Sequence, residues 1–303
     1  MTMEHLFELI RQPLMEMGKG GTLPEFFQYA FVVNALLCAL VAGPLLGSIG
    51  TLVVSKRLAF FSQAVGQAAM TGVALGVVVG EPVTAPYASL FGFCILFALA
   101  MNYTRNRTRM KQDTVIGVFL SISLAVGACV LLYVTAKVNM HVLDSILFGS
   151  ILTVNDTDMI VLLATAGLCV AVGAPTYNHM LLVSFNPSLA RVRGVNATLY
   201  DYIFVLMITL VTVACLKIVG AVLVEALLII PAAAARNVSR SVRGFFLCSV
   251  VFATVSCFLG ILLPMRFDIP VPSGGAIILA ASALFAVTAG LRVLSGRFKE
   301  AAA

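Results

Sequence analysis

Gln63, Gln67 and Thr71 stand at four-residue intervals in Leu58–Gly80, a stretch with no formal charge. The stretch is long enough to cross a bilayer as a helix. Positions four apart share a helix face, so two carboxamides and a hydroxyl are expected to form a polar stripe with Ser62 at its start. Gly72, Gly76 and Gly80 form a second stripe of small residues, with Gly66 nearby. Two uses fit this pattern. The stripes can glue helices together by hydrogen bonds and close packing, or the polar stripe can line a substrate path. These residues alone leave both open.

Ionisable side chains in the apolar runs are scarce. Glu225 is the one deep carboxylate, and a charge at mid-membrane costs on the order of 2.5–3.5 kcal/mol on insertion scales. It reads as a pathway charge, as a protonated structural group, or as a partner of Lys217 two turns earlier. His141 and Asp144 lie three apart in a short, half-apolar segment. They read as an outer pair that receives a cation, or as solvated interfacial residues.

The elements that must carry these groups are transmembrane helices. The chain has 303 residues, 61% hydrophobic and 11% charged, with a mean hydropathy of +1.06. Soluble domains carry roughly 25% charged residues. Long continuous apolar runs, rather than short alternating ones, exclude a β-barrel. The expected fold is therefore all-α, a polytopic bundle of about eight or nine membrane segments. Residues 27–294 form one permease-sized membrane domain, and 295–303 a tail. Residues 1–26 lack the apolar core of a signal peptide; they read as an interfacial amphipathic helix broken at Pro13 or at Gly18–Gly21.

The expected spans are Phe27–Val54, Leu58–Gly80, Ala88–Tyr103, Thr114–Thr135, Met159–Ala174, Leu199–Leu216, Ile218–Ala235, Gly244–Leu263 and Ala276–Leu291. Lys217 and Gly220 mark a turn between two of them. Val138–Val154 reads as a short re-entrant or interfacial helix, and Pro175–Ala197 as a polar loop. The loops at 55–57, 104–113, 175–198, 236–243 and 292–299 hold all of the 19 Lys and Arg except Arg11, Lys19, Lys137, Lys217 and Arg266. Cytoplasmic loops are enriched in Lys and Arg. This places the N-terminus outside, the C-terminus inside and the chain in the cytoplasmic membrane.

Several chemistries have no motif here. There is no P-loop, no His-Glu-x-x-His, no Gly-x-Ser-x-Gly and no spaced Cys/His cluster. All seven cysteines lie in apolar runs and none forms a Cys-x-x-Cys pair, so they read as packing residues. No basic block with interleaved aromatics suggests nucleic acid. One deep carboxylate is thin equipment for ion coupling, whereas a permease driven by a separate ATPase needs none.

Several stretches, in order, resemble one family: AFFSQAVGQAAMTGVALG (59–76), QDTVIG (112–117), LFGSIL (147–152), LVSFNPSLARVRG (182–194), VGAVLVEALLIIPAAAAR (219–236) and DIPVPSGGAII (268–278). The chain is similar, over nearly its whole length, to permease subunits of ATP-binding-cassette importers for zinc, manganese and iron. The resemblance implies a homodimer or paired permease, a cytoplasmic ATPase that hydrolyses the ATP, an extracytoplasmic solute-binding protein, and a path at the permease dimer interface. The chain itself would bind no cofactor; a divalent metal would be its cargo. Pro231–Arg243, with Ala232, Ala235, Arg236, Arg240 and Arg243, would form a helix that docks the ATPase. Phe185, Pro187 and Gly194 belong to a second inward loop.

One departure bears on the cargo. Where the family carries an Asp and a His four apart, this chain has Gln63 and Gln67. Carboxamides are neutral, weak oxygen donors. The path would then pass a hydrated or chelated ion, or a different small solute, or Glu225 would supply the missing charge. An ATPase-independent carrier is the reading from another class.

Overall fold

The computed structural model describes residues 11–13, 15–16, 25–81, 86–108, 110–135, 154, 156–267 and 271–301. A 3-10 turn, Glu25–Gln28, leads into helix α1, Ala30–Lys56. Helices α2, Phe61–Val79, α3, Tyr87–Thr108, and α4, Gln112–Thr135, follow. Next come α5, Asp156–Phe185, and the short α6, Pro187–Val192. Gly220 alone separates α7, Ala197–Val219, from α8, Ala221–Val238. The last helices are α9, Val242–Arg266, and α10, Ser273–Ala301.

Every one of these except α6 is long and apolar enough to span a membrane, nine among the described residues. No strand occurs among them. The all-helical polytopic fold and the nine expected segments are thus borne out. The short helix expected at 138–153 lies outside the described residues, as do His141, Asp144 and most of the N-terminal segment.

One loop is corrected. The stretch from Pro175 was expected to be irregular, yet α5 runs through it to Phe185. Proline removes one backbone donor and leaves the carbonyl four residues earlier unpaired. Membrane helices tolerate this where nearby hydroxyls fill in. Next to the proline, Thr176 Oγ1 donates to the carbonyls of Val172, at 2.5 Å, and Gly173, at 3.4 Å, one and two residues beyond the Ala171 carbonyl that Pro175 leaves without its usual donor.

The chain forms two compact units, with α1, α5 and α8 each contributing to both. One unit comprises residues 1–51, 150–164 and 226–303. Its helices approach at glycines. A Cβ added to Gly50 would lie 2.3 Å from the Leu228 carbonyl oxygen, and one on Gly260 would lie 2.3 Å from Ile277 Cα. Ser249 Oγ donates to the Gly47 carbonyl at 2.7 Å, across α1 and α9. Arg11 Nη2 pairs with Asp156 Oδ1 at 2.9 Å and ties the N-terminal segment to the first turn of α5.

The other unit comprises residues 52–149 and 165–225. Here α2 packs on α3, α4 and α7, and α3 packs on α7. Phe204, Ile208, Leu216 and Ile218 make α7 its core. A Cβ added to Gly72 would lie 3.3 Å from Leu90 Cα and Phe93 Cβ, so α2 and α3 lie close. At one end of this unit Lys56 pairs with Asp201, and Arg105 Nη2 pairs with the same carboxylate at 3.3 Å. The ends suit their charges. Lys56 and Arg105 sit in last turns, where helix carbonyls favour cations.

The tight glycine contacts yield opposite expectations for one kind of substitution. Gly50→Ala forces a methyl against backbone and should cost about 1–3 kcal/mol, as overpacking does. It should lower the melting temperature of the detergent-solubilised protein in a thermal size-exclusion assay. Gly290→Ala, with nothing within 4 Å of the new methyl, should leave it unchanged or raised.

Candidate functional site

The polar stripe of α2 divides. Gln63 and Gln67 are half-buried, as is Met70 one turn on, while Thr71 is fully buried. The helix explains the split. Four residues advance the chain about 40° past a full turn, so Thr71 sits about 80° round from Gln63. There its Oγ1 donates to the Ser123 carbonyl of α4 at 3.2 Å. It also lies 2.7 Å from where a Cβ on Gly127 would be. Thr71 therefore joins α2 to α4, and the structure does not bring it to the face of the two glutamines.

Glu225 approaches α2 at Gly66. It lies in the second turn of α8, half-buried. A Cβ on Gly66 would stand 3.8 Å from Glu225 Oε1 and 3.6 Å from Ala221 Cβ. Gly66, with no side chain, leaves room for the carboxylate on α2; on the helix it lies about 60° to one side of Gln63 and about 100° from Gln67. Gly220 sets the approach. Its φ of 88° ends α7 in a backbone conformation that glycine adopts without strain. The Gly220 carbonyl then accepts from Val224 N at 3.1 Å and starts α8.

Lys217 is engaged elsewhere. Its Nζ donates to Tyr87 Oη at 3.0 Å and lies 4.6 Å from the centre of that ring. Among the described residues, Glu225, Gln63 and Gln67 have no hydrogen-bond or ion-pair partner. Glu225 on α8 and Gln63 and Gln67 on α2 are thus a carboxylate and two carboxamides without protein partners among the described residues. Among the described residues no three His, Cys, Asp or Glu side chains gather as metal ligands.

The residues expected to dock a partner fall into two sets. Pro231, Ala232 and Ala235 are buried inside α8, and Ala232 Cβ lies 3.5 Å from where a Cβ on Gly50 would be. The expectation that these alanines meet a partner is corrected: small residues here let α8 pack against α1. Arg236, Arg240 and Arg243 are exposed, but they do not share one helix. Arg236 ends α8, Arg240 lies in the bend, and Arg243 sits in the first turn of α9, which Ser241 Oγ caps by accepting from Gly244 N at 3.1 Å.

The second inward segment is a helix rather than a loop. Asn186 Oδ1 caps α6 by accepting from Leu189 N at 3.1 Å, and Pro187 takes the first helical position, where its missing donor costs nothing. Gly194, with φ 74°, ends the segment. Phe185, Leu189 and Val192 stand exposed, an apolar surface beside basic Arg191 and Arg193.

Sequence reasoning missed Gly66 as the point of approach to Glu225, and Tyr87 as the partner of Lys217. It also missed the Lys56–Asp201–Arg105 cluster. Gly66 left a signal, a glycine in an apolar run where a neighbouring helix can approach. The other partners lie far apart in sequence and left none.

Residues 28–291 match the model of the ABC 3 transport family. The chain belongs to the ABC 3 transport family. Among its relatives in that family is the manganese transport system membrane protein MntC of Listeria innocua, 30% identical over 87% of this chain and 91% of the relative. Another is the manganese import system permease protein ScaB of Streptococcus gordonii, 31% identical over 88% of this chain and 94% of the relative. The solved structure of PsaBC from Streptococcus pneumoniae in complex with Fab is 28% identical, with a TM-score of 0.74, and covers 90% of this chain and 94% of that one. This ABC 3 family member is thus a multi-pass membrane protein with a transport role.

Solvent access to its polar face can be read by thiol labelling. In a background without native cysteines, Gln63→Cys and Gln67→Cys should react with a water-soluble methanethiosulfonate several-fold faster than Thr71→Cys. Equal rates at all three positions would mean that the division of the stripe is wrong.

Proposed function

We propose that this chain is the membrane-spanning permease of an ATP-binding-cassette importer for a divalent metal, with manganese the leading cargo. The observation that carries the reading is the approach of Glu225 to Gly66 of α2, the helix that also bears Gln63 and Gln67. Carboxylate and carbonyl oxygens suit Mn²⁺, a hard cation, better than they suit metals that favour nitrogen or sulfur. The names of the relatives from Listeria innocua and Streptococcus gordonii support the same metal. Two neutral donors and one carboxylate bind weakly, and weak binding suits passage rather than storage.

The remaining parts follow from family membership and the charge pattern. A separate cytoplasmic ATPase hydrolyses ATP, and an extracytoplasmic binding protein delivers the ion. Two permease chains pair around the path. The N-terminus lies outside and the C-terminus inside, since the Lys- and Arg-rich loops lie on the cytoplasmic side. The ATPase docks on the exposed arginines Arg236, Arg240 and Arg243 and on the apolar surface of α6. His141 and Asp144 would receive the ion on the outer side.

A second reading rests on the same carboxamides. Neutral donors would also pass a metal chelate or another small uncharged solute, with Glu225 orienting rather than ligating it.

Reconstitution decides between them. The chain, with its ATPase and binding protein in liposomes, should accumulate manganese only when ATP is supplied, and zinc or iron less well. Glu225→Gln should cut manganese uptake about 10-fold, equivalent to about 1.4 kcal/mol, while ATPase association is retained. Gln63→Ala combined with Gln67→Ala should do the same. Unchanged uptake in both variants would remove these residues from the path. ATP-driven cycling with no uptake of any bare metal would favour the chelate. Uptake without the ATPase would make the protein a carrier.

A further inference from the structure

An apolar groove of about 640 Å³ runs along α3. Gly92, Leu96, Leu99 and Tyr103 line it on one helix face, and Tyr202 of α7 closes it from the other side. Gly92 has nothing within 4 Å of where a Cβ would be, and Leu96 is 67% exposed. The groove therefore opens outward, onto what would be hydrocarbon.

Its length matches one leaflet. From Gly92 to Tyr103 the helix rises about 16 Å, at ~1.5 Å per residue, and half of a hydrocarbon core roughly 30 Å thick is about 15 Å. Its two ends differ in character. The Gly92 end is apolar throughout. The other end carries two tyrosines, which favour the membrane–water boundary because one part of the ring is apolar and the other is wet.

Immediately beyond the tyrosines the charge turns positive. Arg105 and Arg107 occupy the last turn of α3. Arg105 and Lys56 share a single carboxylate, that of Asp201, the residue before Tyr202. One negative charge thus meets two positive ones. Arg107 is exposed and has no hydrogen-bond or ion-pair partner among the described residues. Basic clusters beside membrane helices hold anionic lipid headgroups, and a guanidinium suits a phosphate in particular.

We propose that this groove is a binding site for one anionic glycerophospholipid. An acyl chain fills the face from Gly92 to Tyr103, and the phosphate meets exposed Arg107, with Arg105 beside it. The length of one leaflet and the placing of the charge at one end together select a lipid over a protein helix. A helix partner would need complementarity along the whole face and no anion at its tip.

The test uses the full chain, purified in detergent with equal amounts of phosphatidylglycerol and phosphatidylcholine and examined by native mass spectrometry. Phosphatidylglycerol should be retained several-fold over phosphatidylcholine. Arg107→Gln should abolish that preference while leaving lipid binding itself. Gly92→Leu should lower retention of both lipids, because it fills the apolar end; the new side chain enters open space, so folding is not at risk. Three results would overturn the proposal. One is equal retention of the two lipids by the unaltered chain. Another is retention untouched by Gly92→Leu, which would mean a non-specific lipid belt. The last is efficient cross-linking of two copies through Leu96→Cys, which would mean that a second chain covers the groove.

Discussion

In hydrocarbon, lipid tails surround an apolar side chain as well as another side chain does, so helices hold together only where they fit closely. The close fits here are glycine against backbone. Gly50 lies against the Leu228 carbonyl, Gly260 against Ile277, and Gly72 against Leu90. Once backbones are this near, short polar side chains can cross the gap. Ser249 reaches the Gly47 carbonyl and Thr71 reaches that of Ser123. Each such bond satisfies a hydroxyl that would otherwise be stranded away from water. The small residues and the hydroxyls are thus two halves of one device, and the polar face of α2 is free for other work only because Thr71 is turned away from it.

A carboxylate is placed in two contrasting ways. Asp201 lies at a helix end between two cations, an arrangement that anchors α1 and α3 to α7. Glu225 lies within a helix, against Gly66 of α2, with no such partner among the described residues. The first placement is what stability favours. The second carries an energetic penalty in a membrane, which the proposed role of Glu225 in the path would account for.

The spans were legible because each apolar run exceeds what a soluble helix needs, and the break at Gly220 was legible from Lys217 and the glycine together. Proline misled at Pro175, since membrane helices continue through a proline more readily than helices in water do. The site was half legible. Four-residue spacing correctly joined Gln63 to Gln67 but carried the stripe one turn too far, to Thr71, because the helical period is not four. The alanines of α8 read as docking a separate ATPase chain, because sequence does not name the partner of small residues. Here it is Gly50 of the same chain. Ion pairs such as Lys56 with Asp201 link positions that no local pattern relates.

Gly220 has a consequence beyond ending a helix. As the only residue between α7 and α8, it acts as a fixed coupling between two screws: the rotational phase of α8 is inherited from α7 with no slack to absorb an error. Adding or removing one residue at this point would turn α8 by about 100°, which would carry Glu225 a quarter of the way or more around the helix from Gly66. The chemistry of the site therefore depends on chain length at this joint as strictly as it does on the identity of the carboxylate.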